Sequence, residues 1–225
     1  MGKMRLLLQV MAASVLIVVR MFASSAVVQA AATPGYVLIE PAPPVDDHGR
    51  SKVEVVEFFS YGCPHCAALE PYVSQWERGI DPAKVEFHRV HATYSPLMVW
   101  LARGFYTGEV LGVTADVHAA VFREIHEKGF PLEKRTVEDL ASLYSRTGVD
   151  SDEFLQVAQA DKVEALLTEA DRRQRLYKVD RTPTLIVAGK YRVTAESAGG
   201  QDRIFAVVDE LIRRETAGKP ASLRR

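Results

Sequence analysis

The chain has 225 residues, 28 Lys and Arg against 29 Asp and Glu, a formal net charge of −1 and only two cysteines. A chain this close to neutral lacks the basic excess of a nucleic-acid binder, and two cysteines leave no disulfide framework to substitute for a hydrophobic core. Its length suffices for one well-buried core, or a core plus a sizeable insertion.

In chain order, Lys3 and Arg5 precede an apolar run from Leu6 to Val19 interrupted only by Gln9 and Ser14, and Val28-Gln29-Ala30 supplies small residues for cleavage. Residues 1–30 are therefore predicted to be an export signal, cut after Ala30. Arg20 departs from that pattern and leaves a retained membrane anchor as the alternative, although the run falls short of the ~20 apolar residues that span a bilayer. No later segment reads as transmembrane. The first thirty residues hold three bases (Lys3, Arg5, Arg20) and no acid, so the remainder carries 25 bases and 29 acids, formally −4.

Residues 31–50 hold Pro34, Pro41, Pro43 and Pro44 and read as an extended arm, with Tyr36 to Ile39 as an edge strand. Val53 to Phe59, rich in β-branched and aromatic residues and closed by Ser60-Tyr61-Gly62, is the strongest strand prediction. Pro64 suits a first helical turn, which makes Cys63 the N-cap of a helix running to about Trp76 with a kink at Pro71. Lys84 to His91 alternates as a second core strand. From Ser95-Pro96 to about Lys178 the pattern turns helical, with a capping-box-like entry at Thr136 to Asp139, a stop at Gly148 and an amphipathic run from Val163 to Leu176. Strand signals return at Thr184 to Val187, followed by a tight turn at Ala188-Gly189 and a partner strand at Tyr191 to Val193. A last helix covers about Gln201 to Glu215. Strands separated by long crossovers, together with a hairpin, require parallel and antiparallel pairing in one sheet.

The chemistry concentrates in Cys63-Pro64-His65-Cys66. In an oxidising compartment, paired cysteines ordinarily read as a structural disulfide. Here the loop is very short, and the entropic gain from a crosslink grows with loop length. No other cysteine is present, and the pair lies between a strand and a helix start. Reactivity is therefore its purpose. A thiol at a helix N-terminus meets unpaired N–H groups and the positive end of the dipole, which favour thiolate. Cys63 is predicted to be the exposed, acidic nucleophile, with Cys66 one turn deeper and shielded. The imidazole of His65 is expected to favour the Cys63 thiolate further.

These features resemble the bacterial periplasmic oxidant family DsbA: the C-P-H-C motif at 63–66, the preceding Glu-Phe-Phe-Ser at 57–60, and Thr182-Pro183 before a Gly-Lys-Tyr hairpin. The resemblance runs from about Tyr36 to the last helix. It implies an α/β thioredoxin fold whose mixed β-sheet is interrupted by an inserted all-helical domain. The expected divisions are a signal at 1–30, a first thioredoxin-like part at 31–94, the helical insertion at 95–178, a second thioredoxin-like part at 179–217 and a polar tail at 218–225. It also implies a dithiol oxidase that donates its Cys63–Cys66 disulfide to reduced exported polypeptides in the periplasm, with a DsbB-like membrane quinone reductase to reoxidise it. By the same resemblance Pro183, preceded by Thr182, matches the family's cis-proline beside the redox pair, where valine is the commoner preceding residue. Glu57 matches an acid beneath the active site, Glu70 a second acid on the helix, and Arg89 a basic partner that is usually lysine. His91 fits a family histidine only loosely, and a satisfied core histidine is an equal reading. Alternation alone also buries Glu57 among apolar neighbours, the plainer alternative being an edge-strand glutamate in water.

Two rivals remain at this level. A disulfide isomerase or reductase is suggested by Thr182, but isomerases of this type carry a separate dimerisation domain, and about twenty residues between the predicted cleavage site and Val53 leave no room for one. An exported metal-binding protein would need four ligands for structural zinc, whereas His88 and His91 fall on opposite strand faces and no second cysteine pair exists. A haem attachment motif would need histidine at position 67, which is alanine. No cofactor is expected, and a monomer is.

Overall fold

The computed structural model describes residues 35–41, 43 and 52–218. The predicted export signal and the tail beyond Gly218 lie outside the described residues. A five-stranded sheet runs in the order β1-β5-β4-β2-β3, with β1 at Val37–Leu38, β2 at Val53–Phe59, β3 at Val85–His91, β4 at Thr184–Val187 and β5 at Tyr191–Val193. β2 pairs parallel with β3 and antiparallel with β4, and the β4–β5 and β1–β5 pairs are antiparallel. The mixed sheet expected from the crossovers is therefore present.

β2 lies inside the sheet, which is why its sequence is apolar on both faces. Val55, Val56, Phe58 and Phe59 are all at most 1% exposed, and each such side chain contributes about 1.5–3 kcal/mol by leaving water. Its side chains serve two cores. Val53 and Val55 join Leu69, Val73, Val208 and Leu211 under helices α1 (Pro64–Gly79) and α8 (Ile204–Gly218). Val56 and Phe58 join the core of the helical block. That block holds α2 (Pro96–Leu111), α3 (Thr114–His126), α4 (Val137–Ser145), α5 (Ser151–Ala158) and α6 (Asp161–Leu176). The block is fastened to the sheet by Arg173 on α6, whose guanidinium donates to Glu54 at 2.6 Å, and by Gln174, which accepts the Thr93 backbone N–H at 2.9 Å.

Local chemistry accounts for the element ends. Ser95 caps α2, its hydroxyl accepting the Met98 N–H at 3.2 Å, with Pro96 in the first turn. Thr136 and Asp139 form a reciprocal capping box on α4. In the β4–β5 turn Ala188 and Gly189 both take positive φ, 52° and 66°, the backbone hand that suits a two-residue hairpin. α1 continues through Pro71 to Gly79, past the expected end near Trp76. The last helix starts near the expected Gln201, but an element not expected precedes it. A short helix α7 (Ala195–Ala198) comes first, capped by Thr194 and Ser197, then Gly199 and Gly200 at φ 78° and 148° break the chain. A 3₁₀ turn over Gln201–Arg203 then leads into α8. Two adjacent glycines in conformations closed to most L-residues explain the interruption.

Candidate active site

The strand–turn–helix passage from β2 to α1 places Cys63 at the N-cap of α1, in extended conformation (φ −95°, ψ 115°), with Pro64 in the first turn. The Cys63 carbonyl accepts the backbone N–H groups of Cys66 and Ala67, both at 3.1 Å. Cys63 is half-buried and Cys66 is 1% exposed, and both stand as free thiols. The Thr182–Pro183 peptide bond is cis. This loop faces Cys63, whose thiol donates to the Thr182 carbonyl oxygen at 3.4 Å.

The two sulfurs differ sharply in acidity. Cys63 is lowered from 9.0 to about 5, chiefly because the Cys66 thiol donates to its anion; burial opposes this, and the Thr182 side chain and the backbone N–H groups of Cys66 and His65 add further donors. The helix start thus turns the N–H groups of its first turn toward a charge. Cys66 is raised well above the ordinary thiol range by burial first, then by its hydrogen bond to Cys63 and by the charges of Cys63 and Glu57. Pro64 and His65 are exposed, and the hydrogen bond His65 gives to the thiolate comes from its backbone N–H.

Beneath the pair, the residues singled out as acid, acid and base converge. Glu57 and Arg89 are register partners on β2 and β3. Glu57 is 2% exposed, because β2 is interior and no edge lets the carboxylate reach water. The edge-strand alternative is thereby overturned. Its Oε2 lies 3.5 Å from Arg89 Nε, and neither atom makes a hydrogen bond. Burial pushes Glu57 from 4.5 up to about 8, with Arg89 pulling it down and Glu70 and Glu77 pushing it up. Coulomb attraction across that gap does not repay desolvation, since Arg89 also serves Glu77 at 2.8 Å and Glu70 at 3.5 Å.

Glu70, on α1, has the opposite shift. Burial opposes its ionisation, but hydrogen bonds from His118 and Ser74 and the field of Arg89 outweigh burial and hold it below the usual range. Burial would also disfavour the charged form of Arg89, and the three carboxylates reverse that.

His91 is fully buried and fully paired. Nε2 accepts the Tyr61 backbone N–H at 3.0 Å and Nδ1 meets the Ala92 carbonyl at 2.8 Å. Burial lowers it to about 3, so it stands as the neutral core histidine of the alternative reading.

Sequence reasoning missed several residues. Tyr94, 43% exposed, donates its hydroxyl to Thr182 Oγ1 at 3.5 Å. It opens a groove lined by Pro96, Val99, Trp100, Arg103 and Arg175. His118 on α3 bonds both Tyr61 and Glu70, and His126 bonds the Tyr61 carbonyl at 2.7 Å. His118 and Phe122 stand one helical turn apart among buried positions of α3, so an assigned helix face would have flagged a histidine on an apolar stripe. Among the described residues, no three His, Cys, Asp or Glu side chains converge as a metal site, and no helix is long and apolar enough to cross a membrane.

An acidic, accessible sulfur disulfide-bonded to a shielded, basic one breaks unevenly: a nucleophile reaches the first, and the second needs a proton. Comparison with known proteins agrees with that chemistry. A family model described as thioredoxin matches residues 48–206. The thiol:disulfide interchange protein DsbA of Pseudomonas aeruginosa is 37% identical over 187 residues, covering 82% of this chain and 86% of the relative. That of Pseudomonas syringae pv. tomato is 38% identical over 189 residues, covering 83% and 85%. The crystal structure of Pseudomonas aeruginosa DsbA superposes with a TM-score of 0.74 at 37% identity, covering 81% of this chain and 93% of that one. The oxidoreductase DsbA of Xylella fastidiosa superposes at 0.72 with 31% identity, covering 82% and 96%.

Proposed function

The chain belongs to the DsbA family of thiol:disulfide oxidoreductases, and from that membership we propose that it is a dithiol oxidase that donates the Cys63–Cys66 disulfide to reduced polypeptides exported to the periplasm. The observation that carries the reading is the asymmetry of the pair, with Cys63 acidic at the mouth of α1 and Cys66 buried and raised.

In the forward reaction a substrate thiolate attacks Cys63 Sγ. A bond forms between the two sulfurs, the Cys63–Cys66 bond breaks, and its electron pair leaves on Cys66. Because Cys66 holds negative charge poorly where it lies, it takes a proton, and we assign its delivery to Glu57, which is still protonated near neutral pH and whose charge bears on Cys66. A second substrate thiolate then attacks the substrate sulfur of the mixed disulfide and expels Cys63, a good leaving group because its thiolate is stable. The substrate is oxidised by two electrons and the protein is left as a Cys63 thiolate with a Cys66 thiol. Thr182, joined to Pro183 by a cis bond, faces the reacting sulfur, and the groove beginning at Tyr94 offers apolar surface to an unfolded chain.

A stable thiolate makes the reduced protein comparatively stable, so electrons flow from substrate to protein. Turnover then requires an external oxidant, for which a DsbB-like membrane quinone reductase is the partner proposed. Thr182 keeps isomerase or reductase action as the second reading, since the residue before the cis-proline contacts the reactive sulfur directly.

The test is oxidation of a reduced, unfolded test polypeptide by the disulfide form in a glutathione buffer. Wild-type protein transfers its disulfide, whereas Cys63→Ala and Cys66→Ala, neither of which can form the Cys63–Cys66 bond, transfer none. Sustained oxidation by Cys63→Ala would reject the assignment, and rearrangement of mispaired disulfides without net oxidation would favour the isomerase.

A further inference from the structure

We propose that His118, a residue of the helical block, is a positioning residue for the redox centre: it holds the Glu70 carboxylate against Arg89 and thereby lets Glu57 keep the proton that it gives to Cys66. The inference rests on the reading of Glu57 made above.

The His118 ring is 6% exposed and lies among the edges and faces of Phe59, Phe105 and Phe122, with centroids 5.0, 6.2 and 5.2 Å away. Phenylalanine would fill that space as well, and an imidazole buried there costs free energy unless its nitrogens are paired. Both are paired. Nδ1 lies 2.8 Å from the Tyr61 hydroxyl and Nε2 lies 3.2 Å from Glu70 Oε2. In the neutral ring Tyr61 donates to Nδ1 and Nε2–H donates to Glu70. In the imidazolium both ring N–H groups donate. Either way Nε2–H points at Glu70. The other titratable groups facing the ring are Tyr61 from the β2–α1 turn and His91 from β3, and the latter stays neutral.

Glu70 therefore receives His118 on one oxygen and Ser74 and Arg89 on the other. A carboxylate held by such donors stays ionised. That matters because Arg89 is shared by three acids, Glu77 at 2.8 Å and Glu57 and Glu70 at 3.5 Å. With Glu70 and Glu77 anionic, the guanidinium charge is largely answered without Glu57, and the Glu70 charge itself opposes ionisation of Glu57. Without the His118 donor, Glu70 turns or protonates, Arg89 is shared by Glu77 and Glu57 only, and Glu57 loses its proton at lower pH. Glu57 is then only about half protonated at neutral pH, and Cys66 draws on a weaker supply of protons.

The experiment follows the Glu57 carboxyl by ¹³C NMR in the oxidised full-length protein, with Glu57→Gln as the assignment control, alongside the pH profile of Cys63–Cys66 cleavage by reduced glutathione. His118→Phe is expected to lower the Glu57 midpoint from about 8 by about one pH unit and to move the alkaline decline of cleavage down with it. His118→Gln, whose amide N–H occupies the place of Nε2, restores both. Glu70→Gln, which removes the charge and not the aromatic packing, reproduces the His118→Phe shift and decides the matter if that variant does not fold. An unmoved Glu57 midpoint in Glu70→Gln, or in folded His118→Phe, would overturn the proposal. A midpoint that moves while the cleavage profile stays fixed would overturn the reading of Glu57 as proton donor, and the proposal with it. Failure of wild-type protein to oxidise any test polypeptide would be a separate result, against the oxidase reading alone.

Discussion

Replacing Glu57 by glutamine removes one titration from the middle of the sheet, and its size follows from the burial of the carboxyl. In the folded protein the group keeps its proton to about pH 8, against an ordinary value of 4.5. Between those values the folded state binds a proton that the unfolded chain has released. Stability therefore falls as pH rises, with the full contribution present below about 4.5 and lost by about 8. At about 1.4 kcal/mol per pH unit, the three units from pH 5 to pH 8 amount to about 4 kcal/mol, a large share of the ~5–15 kcal/mol that holds a domain together. Arg89 does not cancel this, because its Nε makes no hydrogen bond to the carboxylate and its charge is divided among three acids. Urea unfolding of the oxidised proteins at pH 5, 6, 7 and 8 measures it, since the oxidised state has no Cys63 thiolate to add an opposite slope. Subtracting Glu57→Gln from wild type removes every group common to both. Wild type is expected to lose about 4 kcal/mol relative to the variant across that range. A constant difference, or a wild type that gains on the variant as pH rises, would refute the buried-acid argument and with it the proton donor of Cys66.

Thr182→Val removes a hydroxyl that stabilises the Cys63 anion. The Cys63 midpoint is expected to rise by roughly half to one pH unit, a charge-assisted hydrogen bond discounted for solvent access, and the glutathione equilibrium to shift toward the disulfide form. An unchanged midpoint in that variant would remove Thr182 from the account of acidity. Gly104→Ala tests the helical block, since a Cβ there would stand 3.0 Å from both Leu140 Cδ2 and Tyr144 Cε2, side chains at most 1% exposed. The overpacking cost of about 1–3 kcal/mol is expected to exceed the helix propensity gained, near 1 kcal/mol, and a rise in the thermal midpoint would contradict it.

The parts of the fold written in short-range pattern were legible in advance. β2, the N-cap at Cys63, the capping box at Thr136 and Asp139, and the Ala188-Gly189 hairpin each depend on residues within one turn or strand of one another. Alternation likewise placed Glu57 inward. The pairing of Glu57 with Arg89 depends on the parallel register of β2 and β3, a long-range fact that the resemblance suggested and periodicity did not. His118 stayed hidden because nothing local says which face of α3 meets α1, and its partners Tyr61 and Glu70 lie 57 and 48 residues away. The start of the last helix just past Gly199 and Gly200 was legible, but the short helix α7 before it was not, because four residues capped by Thr194 and Ser197 are too few to show a helical period.

Everything proposed for the pair depends on Cys63 carrying negative charge at neutral pH. Ultraviolet absorbance of the thiolate, followed against pH in the reduced protein, measures this directly. The account predicts a midpoint near 5, followed by no second thiolate rise through neutral pH, because Cys66 stays protonated. A single midpoint close to the free-cysteine value of about 8.5 would contradict it.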